Sequence, residues 1–457
     1  MNYHSQRHRP VPSLWLVVLL GISFPLAVQA VEVDLTRYLA RVEGGNTALA
    51  ETFFGVPGPA RLILEGADGD AVALLLNGET VVTAGQAAGD EVEVELVEAN
   101  AITIAANPTS GPVSVRVKQR AEVELNVLSR VHFNTNVSNF VKAQEFYHGL
   151  GLETMSGFPD TNTQAMARAI GIETPTSYDG SQGDWAGGYL LHGEIVGLGF
   201  FGGVIDLIEF TIPRNDDPPY ARLNHLGMAR AAMHTTDIQA DYQTLKEKGV
   251  EFLSAPATRS DGSTFCIFKD LDGTFYELIE VEGEADEERP THIVQIGHVN
   301  VNVSDYERSR AWYQMLGFEA SRELPRTESA VVARAMGFDA PFEVRGALVT
   351  HESDGSALEL VQWLDPYDPE PPYPVPVNHF GIHRMAFSTS DIEADVAALK
   401  AQGVEFISPI TPCCSGPDAW GRIVAFYDPD GTVVELVETP GMGQIMSVIL
   451  WFRDLFD

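Results

Sequence analysis

Two histidines stand at the same place in a strand that the chain contains twice. Residues 132–152 read HFNTNVSNFVKAQEFYHGLGL, and residues 298–318 read HVNVNVSDYERSRAWYQMLGF. Polar and apolar residues alternate over the first six positions, which is the period of a half-buried β-strand. His132 and His298 therefore share one face with the asparagines that follow them. Most strand histidines are structural, but an imidazole can also transfer protons or bind a metal ion, and its repetition in one register favours such a site.

The elements that position these histidines belong to a longer repeat. A helix follows each strand and is predicted to end at Gly151 and Gly317. The segment NHLGMARAAMHTTDI (224–238) recurs as NHFGIHRMAFSTSDI (378–392), and each copy is followed by a helix and by strands that end in ELIEVE or ELVE. Residues 127–440 therefore hold four βαβββ units. A charged linker, EADEERPT (284–291), separates the second unit from the third.

The regions outside the repeat have other compositions. Residues 1–30 contain Arg7, Arg9, the apolar run LWLVVLLGISFPLAV and a small-residue end at Ala30, which is typical of a secretory signal. The sequence therefore predicts an exported chain, periplasmic or extracellular. Residues 31–126 read as short strands separated by Gly, Asp and Asn, typical of an all-β sandwich. Residues 441–457 are predicted to form an amphipathic tail docked on the body.

Composition excludes several classes of function. The 457 residues carry a formal charge of −35, with 64 acidic and 29 basic side chains. Such a surface repels phosphate backbones and anionic lipids, so we expect no nucleic-acid partner and no membrane association once the signal is removed. The remaining partners are a small-molecule ligand or substrate and, in a homodimer, a second copy of the chain.

The quoted segments resemble a known family. HVNVNVSD followed by RAWYQMLGF, then DIEADVAALKAQGVEF and DPDGTVVELVE, is similar to the vicinal oxygen chelate (VOC) superfamily, which includes glyoxalase I, bleomycin-resistance proteins and extradiol dioxygenases. The resemblance implies an α+β fold, with two tandem glyoxalase-like domains at 127–283 and 292–440. It also implies that two units curl around one cleft, so that two domains make two clefts.

The resemblance implies four inward-pointing positions in each cleft. Strand phase assigns them in the first domain to His132, Asp206, Arg230 and Glu277, and in the second to His298, Glu359, Arg384 and Glu435. In the family these columns hold a divalent metal, here Fe, Zn or Mn. The metal ligands expected on that basis are His298, Glu359 and Glu435 in one cleft, with His132, Asp206 and Glu277 in the other. Asp206 is the weaker assignment, since Glu209 would replace it after a slip of one residue.

Both arginines depart from the family pattern. Arg230 and Arg384 stand where metal-using relatives have His or Gln, and a guanidinium stays protonated and cannot ligate. The arginine could replace the metal by pairing with the two carboxylates. Alternatively, it could clamp a substrate carboxylate while His298, Glu359 and Glu435 hold a metal on three ligands. Extradiol ring cleavage, which needs two histidines and a carboxylate, is disfavoured.

We therefore predict an exported enzyme of this superfamily, a lyase, isomerase or dioxygenase that acts on a small oxygenated molecule. Its electrophile would be a bound metal or Arg384, and its base Glu435 or Glu359. Arg384, Arg230 and Trp363 would contact the substrate. The cleft of the second domain has the cleaner pattern and is the expected working site. The alternative is a metal-free protein that binds or sequesters a small molecule in an arginine-clamped cleft.

Overall fold

A computed structural model describes most of the chain between residues 30 and 438. The described residues are 30–42, 49–54, 58–65, 72–83, 91–97, 99–106, 113–172, 187–199, 203–284, 288–413, 419 and 421–438. The predicted secretory signal, except for Ala30, and the predicted C-terminal tail lie outside them. No helix within the described ranges combines the length and the apolar character needed to cross a membrane.

The N-terminal region is all-β, as predicted. Its two four-stranded antiparallel sheets have the orders β1-β8-β3-β6 and β2-β7-β4-β5. Leu62, Leu74, Ile104 and Val115 share one core between the sheets. The strands are β1 (Ala30–Val42), β2 (Leu49–Phe54), β3 (Gly58–Glu65), β4 (Val72–Leu76), β5 (Glu79–Val82), β6 (Glu91–Leu96), β7 (Ala99–Ala106) and β8 (Val113–Glu124).

Four structural units follow the sandwich. Unit 1 consists of β9 (Val127–Asn136), α1 (Phe140–Gly149), β10 (Glu153–Gly157), β11 (Thr161–Thr163), α2 (Gln164–Ala169), β12 (Gly187–Gly197) and β13 (Val204–Ile212). Unit 2 consists of β14 (Arg230–Thr235), α3 (Ile238–Glu247), β15 (Glu251–Phe252), β16 (Ala257–Thr258), β17 (Thr264–Lys269) and β18 (Phe275–Glu280). Unit 3 consists of β19 (Ile293–Asn302), α4 (Tyr306–Met315), β20 (Phe318–Glu323), α5 (Ala330–Ala335), β21 (Glu343–His351) and β22 (Ala357–Asp365). Unit 4 consists of β23 (Arg384–Thr389), α6 (Ile392–Ala401), β24 (Thr411–Cys413), β25 (Gly421–Tyr427) and β26 (Val433–Glu438).

The units pair in a nested order, not in the order in which they follow one another. Strand β9 of unit 1 lies antiparallel to β23 of unit 4, and β14 of unit 2 lies antiparallel to β19 of unit 3. One nine-stranded sheet therefore has the order β10-β12-β13-β9-β23-β26-β25-β24, and the other β15-β17-β18-β14-β19-β22-β21-β20. Each sheet takes one unit from each half of the chain, so the two units of a predicted domain do not share a cleft.

Alternation along the strands and capping of the helices explain the local structure. The apolar face of β19, with Val299, Val301 and Val303, enters one large core with the long helices and the matching face of β9. Asp305 caps α4 by accepting a hydrogen bond from the backbone N–H of Arg308. The helix stops at Gly317, as predicted, where φ is 87°.

The Asp-Gly turns join consecutive units across the other side of the fold. Asp272 of unit 2 accepts a hydrogen bond from the backbone N–H of Ser138, at the start of α1, at 2.8 Å. The buried carboxyl of Asp428, in unit 4, accepts from the hydroxyl of Tyr313 in α4 at 3.0 Å. These turns hold unit 2 to unit 1 and unit 4 to unit 3, while the sheets join units 1 with 4 and 2 with 3.

Candidate functional site

The polar residues of the repeated strand have two different roles. His132 and His298 lie at the cleft, and the second asparagine of each strand holds the loop that leads to an arginine. Asn136 donates through Nδ2 to the backbone carbonyls of Val377, at 2.5 Å, and His379, at 2.7 Å, and Asn302 does the same in the equivalent loop of unit 2. The NHxG segment is thus clamped just before the strand on which the arginine stands.

The sheet of units 1 and 4 brings together His132, Asp206, Arg384 and Glu435, which we call cleft A. His132 Nε2 lies 3.1 Å from Asp206 Oδ2, and Arg384 Nε lies 3.3 Å from Glu435 Oε1. Asp206, Arg384 and Glu435 are buried. Even so, Asp206 Oδ1, Glu435 Oε1, and Nε and Nη1 of Arg384 make no hydrogen bond of normal geometry. Buried polar atoms usually have partners, so these atoms mark cleft A as a place for a ligand.

Burial dominates the proton affinities in cleft A. It lowers the pKa of His132 to about 4, with the charge of Glu435 opposing it, so this imidazole is neutral at neutral pH. It raises the pKa of Asp206 to about 7 against the effect of the Arg384 charge. It also raises the pKa of Glu435, with Arg384 again opposing. Cleft A therefore contains carboxyl groups that keep a proton more readily than ordinary ones.

The sheet of units 2 and 3 brings together His298, Glu359, Arg230 and Glu277, which we call cleft B. Arg230 pairs with both carboxylates: its Nε lies 2.9 Å from Glu277 Oε2, and its Nη2 contacts Glu359. Arg259 pairs with the other oxygen of Glu277. Among the described side chains, two guanidinium groups thus face two carboxylates, and both carboxylates of cleft B are paired, whereas Arg230 Nη1 and His298 Nε2 make no hydrogen bond of normal geometry.

One position accounts for the electrostatic difference between the clefts. Arg259 stands two residues after Ala257 in unit 2, and the same place in unit 4 is taken by Cys413, which brings no positive charge. Burial alone would raise the pKa of Glu277, but Arg259 and Arg230 lower it to about 2. Burial raises the pKa of Glu435 at the equivalent position. The carboxyl at this position thus faces two arginines in cleft B, whereas in cleft A it lies beside Arg384 and burial raises its pKa.

The structure corrects the grouping expected from the sequence. The predicted inward positions do face clefts, but Arg230 and Glu277 meet His298 and Glu359, while Arg384 and Glu435 meet His132 and Asp206. The reason is that β9 pairs with β23 and β14 with β19. The predicted catalytic set of Glu435, Glu359 and Arg384 is consequently divided between the two clefts.

Two further expectations have mixed outcomes. Asp206 faces the cleft, whereas Glu209 lies on the opposite side of β13, where it accepts a hydrogen bond from the backbone N–H of Phe140. Trp363 was expected to contact substrate together with Arg384, but it lies by cleft B, packed against Phe342 and donating to Asn302 at 2.9 Å. In cleft A the apolar wall contains Tyr189 and Phe210, which meet edge to face at 6.0 Å.

Sequence reasoning missed Arg259 and Asn162. Arg259 is half of the pairing that neutralises Glu277, and Asn162 is a buried amide in β11, the short strand that pairs with β12 next to Tyr189. Arg259 has no counterpart in unit 4, so the repeat could not point to it. Asn162 lies three residues before Ala165, and a comparison with Glu328 at the equivalent place in the second copy could have drawn attention to it.

The donor set suits a divalent metal in type but not in arrangement. Cleft A offers one imidazole and two carboxyls, the ligands that such ions accept. However, Arg384 lies beside Glu435, and the donors of cleft A do not come within 4.8 Å of one another as a group of three. In the described residues only Asp391, Glu393 and Glu438 do so. In cleft B both carboxylates are engaged by arginines. The residues as arranged therefore do not fit a metal centre.

Paired βαβββ units with polar residues on the concave side of each sheet define a class of two-domain, cleft-forming proteins. The family model described as Glyoxalase/Bleomycin resistance protein/Dioxygenase superfamily matches residues 129–278 and 295–436. The chain belongs to this family, and it has two tandem glyoxalase-like domains. The bounds predicted for the two domains contain the matched ranges and stay predictions.

Solved structures to which the chain is similar include several glyoxalases and a putative dioxygenase. Glyoxalase I from Zea mays is 16% identical, with a TM-score of 0.47 over 70% of this chain and 95% of that one. A putative dioxygenase from Bacillus subtilis subsp. subtilis str. 168 is 12% identical, with a TM-score of 0.45 over 69% of this chain and 86% of that one. The Mn(II)-bound glyoxalase from Novosphingobium aromaticivorans is 13% identical, with a TM-score of 0.23 over 69% of this chain and 83% of that one. No curated protein matches the chain. These likenesses are too distant to carry a reaction or a metal to this chain.

Proposed function

We propose that the chain is an enzyme that moves a proton on a small oxygenated molecule bound in cleft A. One observation carries the proposal: Asp206 Oδ1, Glu435 Oε1 and Arg384 Nη1 are buried and make no hydrogen bond of normal geometry, although Arg384 Nε lies 3.3 Å from Glu435 Oε1. The corresponding groups of cleft B neutralise one another, so that cleft supports a structural role instead. This reverses the expectation that the cleft assigned to the second domain would be the working site.

The chemistry follows from the charges. Arg384 would donate a hydrogen bond to a carbonyl oxygen of the substrate and stabilise the negative charge that develops when a proton leaves the neighbouring carbon. Glu435 or Asp206, whichever is ionised, would accept that proton. The electron pair of the broken C–H bond would form the C=C bond of an enediolate, while the π pair of the carbonyl moves to the oxygen held by Arg384. Transfer of the hydroxyl proton to that oxygen, and return of the abstracted proton to the former carbonyl carbon, would complete an isomerisation. A pKa of about 7 suits Asp206 for transfer in both directions near neutral pH.

The test is proton exchange in heavy water. The mature chain would be incubated with hydroxyacetone, dihydroxyacetone and glycolaldehyde, and deuterium at the carbon next to the carbonyl would be followed by NMR. We expect enzyme-dependent exchange with at least one compound, lowered about 100-fold or more in Asp206→Asn or Glu435→Gln, as is usual when a general acid or base is removed.

Glu359→Gln provides the matched control, because Glu359 occupies in cleft B the position that Asp206 has in cleft A. It should lower stability and leave exchange unchanged. Exchange lost equally in Glu359→Gln would overturn the assignment to cleft A. Binding of the compounds without exchange would overturn the enzyme and leave a protein that binds or sequesters a small molecule.

Three features stay proposals. The N-terminal segment supports export to the periplasm or beyond, which N-terminal sequencing of secreted protein tests by finding cleavage after Ala30. A divalent ion, Fe, Zn or Mn, stays a prediction of the family resemblance, and it would require Arg384 to move away from Glu435. A homodimer is tested by light scattering of the purified chain, which distinguishes one copy of 49.8 kDa from two.

A further inference from the structure

A group of polar side chains lies beneath helix α1, on the side of β12 that faces away from cleft A. In β12, Ile195 pairs with Asp206 of cleft A, and the neighbouring Glu194 points to the opposite side because successive strand residues alternate. On that side Glu194 meets three polar side chains, Gln144 and His148 of α1 and Thr154 of β10. The group is therefore separated from cleft A by the sheet itself.

The two carboxylate oxygens of Glu194 have different surroundings. Oε2 accepts hydrogen bonds from Gln144 Nε2 at 3.0 Å and from Thr154 Oγ1 at 2.7 Å, which fixes the orientation of the carboxylate. Oε1 is buried and makes no hydrogen bond of normal geometry, in a side chain that is only 5% exposed. A buried carboxylate oxygen without a hydrogen-bond partner is costly, so Oε1 marks a place for a positive charge.

His148 is the exposed member of the group. Its side chain is 40% exposed, and its Nε2 lies 3.8 Å from Glu194 Oε1, which is too far for a hydrogen bond. Two ligand atoms that each bind one zinc ion at about 2.1 Å lie roughly 3.4 Å apart in a tetrahedral site. A small rotation of the half-exposed ring would therefore bring both atoms onto one ion. This rotation would give up the long contact of Nε2 with Thr154 Oγ1, at 3.2 Å.

The equivalent place in unit 3 lacks all of these donors. Helices α1 and α4 align at their final glycines, and β20 pairs with β21 in the register in which β10 pairs with β12. His148, Thr154 and Glu194 thus correspond to Gln314, Ala320 and Ala347. Unit 3 forms this helix and these strands without the donors, so the fold does not require a buried acid here. The three donors are present together in one unit and absent together in the other, as expected of the parts of one site.

The types of donor specify the ligand. An imidazole and a carboxylate together suit Zn²⁺, whereas Ca²⁺ and Mg²⁺ prefer shells made of oxygen alone. Hydrogen bonds to the second oxygen, such as those from Gln144 and Thr154, are the usual support of a metal-binding carboxylate. Two protein atoms would reach the ion and water would complete its shell, so the ion would exchange with solvent and be lost on purification.

We propose that His148 and Glu194 form a zinc site on unit 1, with Thr154 and Gln144 holding the carboxylate in place. His148 lies in the last turn of α1, and the C-terminal end of a helix carries a partial negative charge that favours a bound cation. The ion would connect this end of α1 to β12 and neutralise the buried carboxylate. The site depends neither on cleft A nor on the proposed proton transfer.

The experiment is a calorimetric titration of the full mature chain with zinc chloride at pH 7.5. We expect one zinc ion to bind with a dissociation constant below about 1 mM, and calcium chloride to show no binding in the same range. His148→Gln and Glu194→Ala reproduce the residues of unit 3, and each should weaken zinc binding about tenfold or more. His192→Gln is the matched control, because His192, in the same strand as Glu194, lies 3.7 Å from Asp160 and both these side chains are exposed. It should leave zinc binding unchanged.

A stability measurement distinguishes a zinc site from an ordinary ion pair. Without zinc, Glu194→Gln removes a buried charge whose Oε1 has no hydrogen bond, so the melting temperature should stay within a few degrees of the wild-type value. Zinc should raise the melting temperature of the wild-type chain by several degrees and leave that of Glu194→Gln unchanged. If Glu194→Ala does not fold, Glu194→Gln replaces it in the titration.

Each outcome decides the proposal. Zinc binding and zinc stabilisation that are lost in the His148 and Glu194 variants and kept in His192→Gln would support it. No zinc binding up to about 1 mM, wild-type affinity in either folded variant, or an equal loss in His192→Gln would overturn it. Destabilisation of zinc-free Glu194→Gln with no zinc effect on the wild-type chain would show an ion pair instead. Binding that disappears only in His132→Ala would place the ion in cleft A and overturn the proposal as well.

Discussion

The variant Arg259→Ala tests whether the ion pairs of cleft B stabilise the folded chain. In Arg259→Ala, Glu277 keeps Arg230 but loses the partner on its other oxygen, and the contact of the guanidinium with the Phe265 ring, at 3.7 Å, disappears as well. Glu277 is fully buried, and breaking a buried ion pair by removing one partner costs about 3–5 kcal/mol. The fall of the Glu277 pKa from 4.5 to about 2 corresponds to about 3 kcal/mol at neutral pH, shared between the two arginines. We therefore expect Arg259→Ala to lower the free energy of unfolding by about 3 kcal/mol.

The assay is urea denaturation at several pH values. Because the pKa of Glu277 is lowered in the folded chain, its stabilising contribution is complete above pH 4.5 and is lost as the pH falls towards 2. The difference between wild type and Arg259→Ala should therefore be largest at pH 6–7 and shrink below pH 4.5. Arg326→Ala is the control, since Arg326 pairs with Glu343 at the surface and should cost less than about 1 kcal/mol. If Arg259→Ala lowers the free energy of unfolding no more than the control does, or by an amount independent of pH, the stabilising role of the cleft B ion pairs is refuted.

Three other outcomes follow from the described contacts. Burial raises the pKa of Asp428 to about 7, so the folded state holds an extra proton between pH 4 and 7; stability should fall as the pH rises through this range, and Asp428→Asn should flatten the profile in thermal melts. Asn136→Ala leaves two loop carbonyls without their donor and should cost about 2–3 kcal/mol in urea titrations, whereas Asn139→Ala, at a helix N-cap, should cost only about 1 kcal/mol. Elemental mass spectrometry of chain purified without chelator should find far less than one equivalent of Fe, Zn or Mn; a full equivalent that disappears in His132→Ala would contradict the metal-free cleft.

The local structure could be predicted from the sequence because it depends on residues that are close together along the chain. Alternation fixed which residues of β9 and β19 face the clefts, and the glycines after the helices marked their ends. The inward direction of His132, Asp206 and Glu435 follows from strand phase alone. These features depend on neighbours within a few residues, and they appear twice or four times in the chain.

The pairing of the units could not be predicted from the sequence. All four units have similar first strands, so hydrophobic pattern cannot decide whether β9 lies next to β14 or next to β23. Contacts between residues about 250 positions apart decide it. Arg259 and Asn162 were missed for a related reason: each matters because of what its counterpart in the other cleft lacks, and that comparison needs the paired sheets.

The nested pairing also sets the order in which the chain can assemble. Far fewer residues separate β14 (Arg230–Thr235) from β19 (Ile293–Asn302) than separate β9 from β23, so the inner sheet can close as soon as unit 3 is made. Strand β9 must wait for β23, and until then its hydrogen-bonding edge is open to the wrong partner. Units 1 and 4 therefore pair last, after units 2 and 3 have paired. The candidate reaction site is therefore completed only when unit 4 has been made. A chain truncated after unit 3 would contain all of cleft B but only the unit 1 half of cleft A.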